Sequence, residues 1–337
     1  MIEQTFAVST RIRLARNLSG VPFPCMIEDT DDETKVKDVC ISALRRIGGF
    51  NVRLMSRESQ LEKRSQVERY VISRALSEKS GGAVAYSDDG EISVMINEED
   101  HVREQIIVRG NRLDRAYKRI AALDNVLKVN LNFACAGGGL YYTACPSNLG
   151  TGMRASVMLF LPALVRYGEI ERFSVMAGER GLVIRGAFGE GSDGESFFYQ
   201  VSNEVTYRIT EREIVSLVSR FVDEIRKREE ALRRLMYNEN AIEFADKCVR
   251  ALATLSNCVL LSYSELSELI TYVKLGADAG VINSEGVAEL DDLLVMSRSA
   301  TLKLNYGSES EELIRAKFVR ESLAKLALSA NYDKILP

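Results

Sequence analysis

Residues 183–207 read VIRGAFGEGSDGESFFYQVSNEVTY, and within them Gly189-Glu190-Gly191-Ser192-Asp193-Gly194 is a literal G-x-G-x-x-G. A dinucleotide-binding turn of that form needs a strand before it and a helix after it. Here the residues that follow are aromatic and β-branched, so residues 196–206 are predicted to form a strand, as are residues 181–188. The glycines are therefore expected in a turn between strands, and a doubly wound parallel sheet is excluded. A eukaryotic-type protein kinase is excluded as well, because no V-A-I-K lysine, H-R-D or D-F-G follows.

Working outward, the chain after about Thr210 has helical periodicity with Glu-, Arg- and Lys-rich faces, and no strand is predicted there. Upstream, helix and strand signals mix. Helices are predicted over residues 32–47, with Asp32 as N-cap and Gly48-Gly49 as the stop, over 59–76, and over 111–127. Residues 82–96, GAVAYSDDGEISVMI, read as a hairpin around Asp88-Asp89-Gly90 that runs straight into Asn97-Glu98-Glu99-Asp100-His101. Residues 141–145 read as a strand edge. The pattern is α+β over residues 1–230, followed by an all-α unit over 231–337.

Composition narrows the function. The 337 residues carry 44 basic against 48 acidic side chains, a net charge of −4, which lacks the positive field that nucleic acid or an anionic membrane requires. A single histidine, His101, excludes a multi-histidine zinc site and leaves a Ser-His-Asp triad one candidate base. Six cysteines without C-x-x-C spacing read as reduced thiols, and the first residues show no secretory signal, so a soluble cytoplasmic protein is expected.

The basic residues are unequal, with 31 Arg against 13 Lys and no Lys between Lys128 and Lys227. There is no G-x-x-x-x-G-K-[ST], so a phosphate bound in that region must be held by arginine. The guanidinium fork suits the task, because its donors match phosphate oxygens bidentately and it stays charged. Candidates are Arg11, Arg13 and Arg16 in STRIRLAR, Arg103 in EEDHVR, Arg154 in GTGMRAS and Arg185 in VIRGAFGEG. In a strand Arg11 and Arg13 share a face.

Cys145-Pro146-Ser147-Asn148-Leu149-Gly150-Thr151 resembles the C-P-[ST]-N-[LIV]-G-T signature of the phosphagen (guanidino) kinases. Ser9-Thr10-Arg11-Ile12-Arg13, Asn97 to Arg103, Arg154 to Val157 and Arg185 to Glu190 match further elements in the family's order. The resemblance implies an antiparallel sheet flanked by helices. It is strongest to the bacterial protein arginine kinases of the McsB type: the S-x-R-x-R element starts at residue 9, where small-molecule kinases carry a helical domain ahead of it.

From that resemblance follow roles. Glu99 and Glu190 would orient and deprotonate the substrate guanidinium, Glu99 being the general base, and Cys145 would lie beside it. Arg11, Arg13, Arg103, Arg154 and Arg185 would hold the ATP phosphates, and Mg²⁺ would bridge phosphate oxygens without a dedicated protein cage. His101 is expected to be structural. The implied activity is ATP-dependent phosphorylation of arginine side chains of proteins, in stress response or protein quality control. A homodimer, a zinc-finger activator protein and a Clp-type protease are the implied partners. A kinase for a free guanidino compound, or a catalytically weak adaptor on the same fold, are the alternatives. Residues 132–140, NFACAGGGL, depart from the family's acidic segment. Glu311-Glu312-Leu313-Ile314-Arg315-Ala316 stands where relatives carry an R-D-x-x-R-A phosphoarginine-binding element, so that sensing is expected to be weakened or lost.

Overall fold

The computed structural model describes residues 3–26, 30–186, 197–307 and 310–329. Its strands are β1 (Ala7–Arg16), β2 (Phe50–Leu54), β3 (Ala83–Ser87), β4 (Ile92–Ile96), β5 (Val102–Arg109), β6 (Met153–Phe160), β7 (Leu182–Gly186) and β8 (Phe198–Asn203). The helices of the first part are α1 (Glu3–Phe6), α2 (Thr30–Ile47), α3 (Gln60–Glu68), α4 (Arg74–Ser77), α5 (Leu113–Leu131), α6 (Pro162–Arg166), α7 (Ile170–Gly178) and α8 (Glu211–Glu239). Five more follow: α9 (Ala241–Asn257), α10 (Tyr263–Ala279), α11 (Leu290–Met296), α12 (Ser299–Tyr306) and α13 (Glu311–Ser322).

The strands form one sheet in the order β2-β3-β4-β5-β1-β6-β8-β7, antiparallel at every junction. The expected α+β class with an antiparallel sheet and a helical C-terminal region is the architecture found. Period-two alternation gives the sheet two unlike faces. Ile12, Leu14, Val102, Ile106, Ala155, Val157 and Val201 are shut away from water on one face, in a core with Leu44 of α2, Ile120 of α5 and Phe221 of α8. The intervening residues Arg11, Arg13, Arg103 and Arg154 emerge on the other.

Several sequence expectations need correction. The helix predicted over 59–76 is two, α3 and α4, broken where Tyr70 adopts φ 59°. The chain leaves the helix there because the sheet claims its carbonyls. Gln105 Nε2 donates to Tyr70 O at 2.8 Å and Ser93 Oγ to Val71 O at 3.0 Å. The first of the predicted helices starts at Thr30, so Asp32 lies within its first turn and is not its N-cap. Residues 141–145 form no strand; Tyr141 makes only isolated bridges to Cys135 and Gly150. β2, β5 and β6 were not anticipated.

A second core joins the sheet to the C-terminal helices. Phe160 and Phe198, at the ends of β6 and β8, pack with Cys248, Leu252, Ile270, Val273 and Leu290. The 29-residue α8, started by a Thr210–Glu213 capping box, serves both cores: Ile214 to Leu232 line the first and Met236 the second. Near its end Glu229, fully buried, accepts the Ala163 and Leu164 N–H groups at 3.0 and 2.8 Å and pairs with Arg233 at 2.7 Å. Arg233 in turn reaches Asp278 of α10, Thr5 and the Phe160 carbonyl. Among the described residues no helix is long and apolar enough to cross a membrane.

Candidate functional site

Strand register assembles the arginines. Arg13 stands directly opposite Arg154 across β1 and β6, Arg103 opposite Ala15 across β5 and β1, and Arg185 opposite Gln200 across β7 and β8. Like charges facing each other across strands are destabilising. The surroundings neutralise them only in part. Arg103 pairs with Glu98 at 2.6 Å, Arg11 donates to Gln200 Oε1 at 3.4 Å, and Arg154 reaches Ser202 Oγ at 3.3 Å. The Nε groups of Arg11 and Arg13 are buried and have no hydrogen-bond partner among the described residues.

The electrostatics record this crowding. Burial first, and then the Arg103 charge, lower the Arg11 guanidinium to about 10. Arg13 is pushed well below its ordinary value by burial and by Arg11, Arg103 and Arg154. Arg154 is lowered too, by burial and then by Arg185. Guanidinium groups stay charged in proteins, so the face holds concentrated positive charge and buried N–H donors without acceptors. An anion with several oxygens supplies what it lacks.

Beside this face lies the N-E-E-D-H turn between β4 and β5. Asn97 takes φ 58°, and the Asn97 N–H to His101 O bond of 3.0 Å closes the turn. Glu98 points inward: burial raises its carboxyl, but Arg103, Ser73 and the Glu99 N–H outweigh it and hold the group below the usual range. Glu99 is exposed, and its backbone N–H donates to Glu98 Oε2 at 2.8 Å. The turn is lashed to the loop that carries Cys145. Asp100 Oδ1 accepts from Asn17 Nδ2 at 2.6 Å and from the Ala144 N–H at 2.7 Å, so Glu99 and Cys145 are each one residue from a shared bond. Cys145 is half-buried with its Sγ 3.0 Å from Ser147 Oγ.

His101 is structural, as expected. Its Nδ1 accepts the Leu18 N–H at 3.1 Å, which leaves Nε2–H to donate to the Pro22 carbonyl at 2.9 Å. Burial lowers its pKa and keeps the ring neutral. Arg16, grouped with Arg11 and Arg13 in the sequence, belongs to the opposite face. It is fully buried, pairs with Asp124 at 2.8 and 3.0 Å and with Glu211 at 3.2 Å, donates to the Thr151 carbonyl, and stacks 3.6 Å from the Tyr141 ring. Burial alone would favour its discharge, but Asp124 holds its pKa above the ordinary value. It anchors the C-P-S-N-L-G-T segment from beneath. Gly150, at φ 113°, lies where a Cβ would stand 2.2 Å from the Thr206 carbonyl oxygen, so the segment closes on the strand region only with glycine there.

Of the residues expected at the site, Arg11, Arg13, Arg103 and Arg154 share one sheet face, and Glu99 and Cys145 lie on two loops tied together. Arg185 faces the same cleft from β7. Glu190 lies outside the described residues. Sequence reasoning passed over Glu98 in the turn, and over Gln105, Ser156, Gln200 and Ser202, whose positions alternate in step with the arginines once the strands are known. A cavity of about 900 Å³ opens from this face, lined by Arg11, Arg185 and Gln200 on the sheet side and by Tyr70, Tyr263 and Arg298 across from it. Among the described residues no group of three His, Cys, Asp or Glu side chains is placed to hold a metal ion.

Residues 33–232 match the family model for the ATP:guanido phosphotransferase C-terminal catalytic domain, and residues 241–334 that for the protein-arginine kinase McsB C-terminal domain. The chain is 36% identical over 329 residues to a protein-arginine kinase of Clostridium acetobutylicum, covering 95% of this chain and 97% of that one. It is 38% identical over 326 residues to one of Clostridium kluyveri, covering 94% of each. Among solved structures, the duplicated taurocyamine kinase of Schistosoma mansoni with bound transition-state-analogue components superimposes with a TM-score of 0.61 at 26% identity. That match covers 67% of this chain and 33% of the duplicated one. A lombricine kinase shares the fold, with a TM-score of 0.60 at 23% identity over 68% of this chain and 67% of its own.

Proposed function

The chain belongs to the ATP:guanido phosphotransferase family, and from that premise we propose how it works as an ATP-dependent protein-arginine kinase. It transfers the γ-phosphoryl group of ATP to arginine guanidinium groups of proteins. The observation that carries the site assignment is the arginine face, with Arg13 set opposite Arg154 and buried Arg11 and Arg13 donors lacking acceptors. Such an arrangement is costly unless a polyphosphate completes it.

In this reading Arg11, Arg13, Arg103, Arg154 and Arg185 hold the triphosphate and offset the charge that spreads over the transferring oxygens. Mg²⁺ would be held through the nucleotide that the arginines bind, and would supply further charge stabilisation for the transferring phosphoryl group. A guanidinium is a poor nucleophile because its lone pairs are delocalised, so a carboxylate must orient it and take its proton. Glu99, exposed at the tip of the turn, takes that role as general base, and Glu190 is the second carboxylate on the family resemblance. A guanidinium nitrogen forms the new bond to the γ-phosphorus as the bond from that phosphorus to the β,γ-bridging oxygen breaks. ADP leaves, and the displaced proton goes to the carboxylate. Cys145, tied to the Glu99 turn through Asp100, lies beside the guanidinium.

The reading further divides the chain into a catalytic domain over residues 1–230 and a helical domain over 231–337 that dimerises and docks substrate. It places the protein in the cytoplasm, in stress response, with a zinc-finger activator protein and a Clp-type protease as partners. Phosphoarginine sensing through residues 311–316 is weakened or lost in this chain. Supporting that, Arg315 is buried and committed to the Ser297 and Leu261 carbonyls at 3.0 and 2.9 Å, with Glu311 3.6 Å away.

The test offers Mg·ATP with an unfolded protein and with free arginine in parallel, using Glu99→Gln and Glu190→Gln as controls. Label entering the protein, and lost in both variants, is the expected result. Label on free arginine alone would make this a small-molecule guanidino kinase. No transfer to either, with an activator present, would leave a binding protein on this fold.

A further inference from the structure

The wall of the cavity that faces the arginines comes from the C-terminal helices. Arg298, the residue before α12, reaches the end of α3: its Nη2 donates to the Tyr70 hydroxyl at 2.6 Å, its Nη1 to the Glu68 carbonyl at 3.1 Å and its Nε to the Tyr263 hydroxyl at 3.4 Å. The guanidinium also stacks 4.8 Å over the Tyr70 ring. Glu68 returns the contact, accepting the Ala300 and Thr301 N–H groups at 3.0 and 2.8 Å at the first turn of α12. Such reciprocal bonding fixes the end of α3 to the start of α12.

Tyr70 is the hinge of this arrangement. It sits at φ 59°, a conformation that a non-glycine residue holds only when its surroundings enforce it. Its carbonyl accepts from Gln105 at 2.8 Å, and Gln105 is the direct cross-strand partner of Arg13 on the arginine face. Against the burial and the Arg103 charge that lower Arg11, the Tyr70 phenol acts in the opposite sense. Arg298 is thus linked to Arg13 in three steps, through Tyr70 and then Gln105. A second tie, from Arg109 of β5 to Asp292 of α11, spans the same cavity.

We propose that the C-terminal helices form a working wall of the nucleotide site, and that Arg298 is a positioning residue for ATP, acting through Tyr70. This rests on the reading that the arginine face takes the triphosphate. The nucleoside end of ATP then lies in the cavity between the sheet and α11–α12, and holding Tyr70 in place keeps Gln105 and Arg11 aligned with the phosphates. ATP affinity is set by both parts of the chain.

The experiment uses the full-length protein and the variants Arg298→Gln, Tyr70→Phe and the double variant. Measured are KM for ATP, KM for a protein substrate, kcat, binding of a fluorescent ATP analogue, and melting temperature without nucleotide. Either single change is expected to raise KM for ATP roughly three- to tenfold, with KM for the protein substrate unmoved. The double variant should match the worse single one, because both changes cut the same contact. Arg298→Lys, which keeps one donor for the Tyr70 hydroxyl, should fall between. Parental-like ATP binding in both variants overturns the proposal, as does a loss in which both KM values and the melting temperature move together. A parental protein that binds no ATP analogue overturns the underlying reading instead.

Discussion

Arg13 and Arg154 face each other across two strands, and their charges repel until an anion lies over them. Replacing one should therefore separate function from stability. Arg13→Gln is expected to leave the nucleotide-free protein as stable as the parent or a few degrees more stable, while kcat/KM for ATP falls by about 10²-fold or more. Thermal unfolding and steady-state kinetics on the same preparation check this; a destabilised variant with intact ATP kinetics would contradict it. Arg11 gives a pH signature. Its folded pKa, about 10, lies below that of a free guanidinium. The folded state thus loses this proton first, so the stability penalty is full below pH 10 and is relieved above it. Nucleotide binding runs in the opposite sense because it needs the charge. Affinity for an ATP analogue should fall as pH rises toward and through 10, whereas a flat titration from pH 7 to 10.5 would contradict the assignment. The arginines themselves were legible in the sequence, being clustered and short of lysine neighbours. Their polar companions were not, since Gln105, Ser156, Gln200 and Ser202 carry no chemical mark until strand register places them.

Among the elements, the sheet was only half visible. β3, β4, β7 and β8 show alternation or turn signals at their ends. β6 is hidden because Met153–Phe160 is apolar on both faces except for Arg154 and Ser156, as befits a central strand buried under helices and beside the second core. β5 is hidden because it starts directly after the N-E-E-D-H turn. The break between α3 and α4 was invisible for another reason. Nothing local in residues 69–73 forbids helix, and the carbonyls are diverted by Gln105 and Ser93, partners more than twenty residues away. Glycine at 150 belongs to this scale too. With its Cβ position 2.2 Å from the Thr206 oxygen, Gly150→Ala must part the C-P-S-N-L-G-T segment from the β8 end. A loss of about 2 kcal/mol or more is expected in chemical denaturation. A variant as stable as the parent would mean the loop is not fixed there.

Across the whole molecule, α8 contributes to both cores, as β6 and β8 do, and its buried Glu229–Arg233 pair ties α6, α10 and the N-terminal Thr5 together. Glu229→Gln leaves Arg233 with less buried charge to face, and the expected cost is about 3–5 kcal/mol. The prediction is a lower melting temperature with one cooperative transition retained, read by calorimetry; two separate transitions would show that the cores unfold independently. Sequence periodicity revealed the helical C-terminal region but not its placement. Ties such as Arg298–Tyr70 and Arg109–Asp292 join residues about two hundred positions apart, and no local pattern announces them.

In the proposed reaction the γ-phosphoryl group of ATP ends on the guanidinium of a protein arginine. Its most direct test is the chemical identity of the product bond. An unfolded substrate protein is incubated with the enzyme and Mg·ATP, and the label is assayed for stability in acid and in base, then mapped by mass spectrometry. The expected label is lost in acid, retained in base, located on arginine side chains and absent with Glu99→Gln. Acid-stable label on serine, threonine or tyrosine would contradict it.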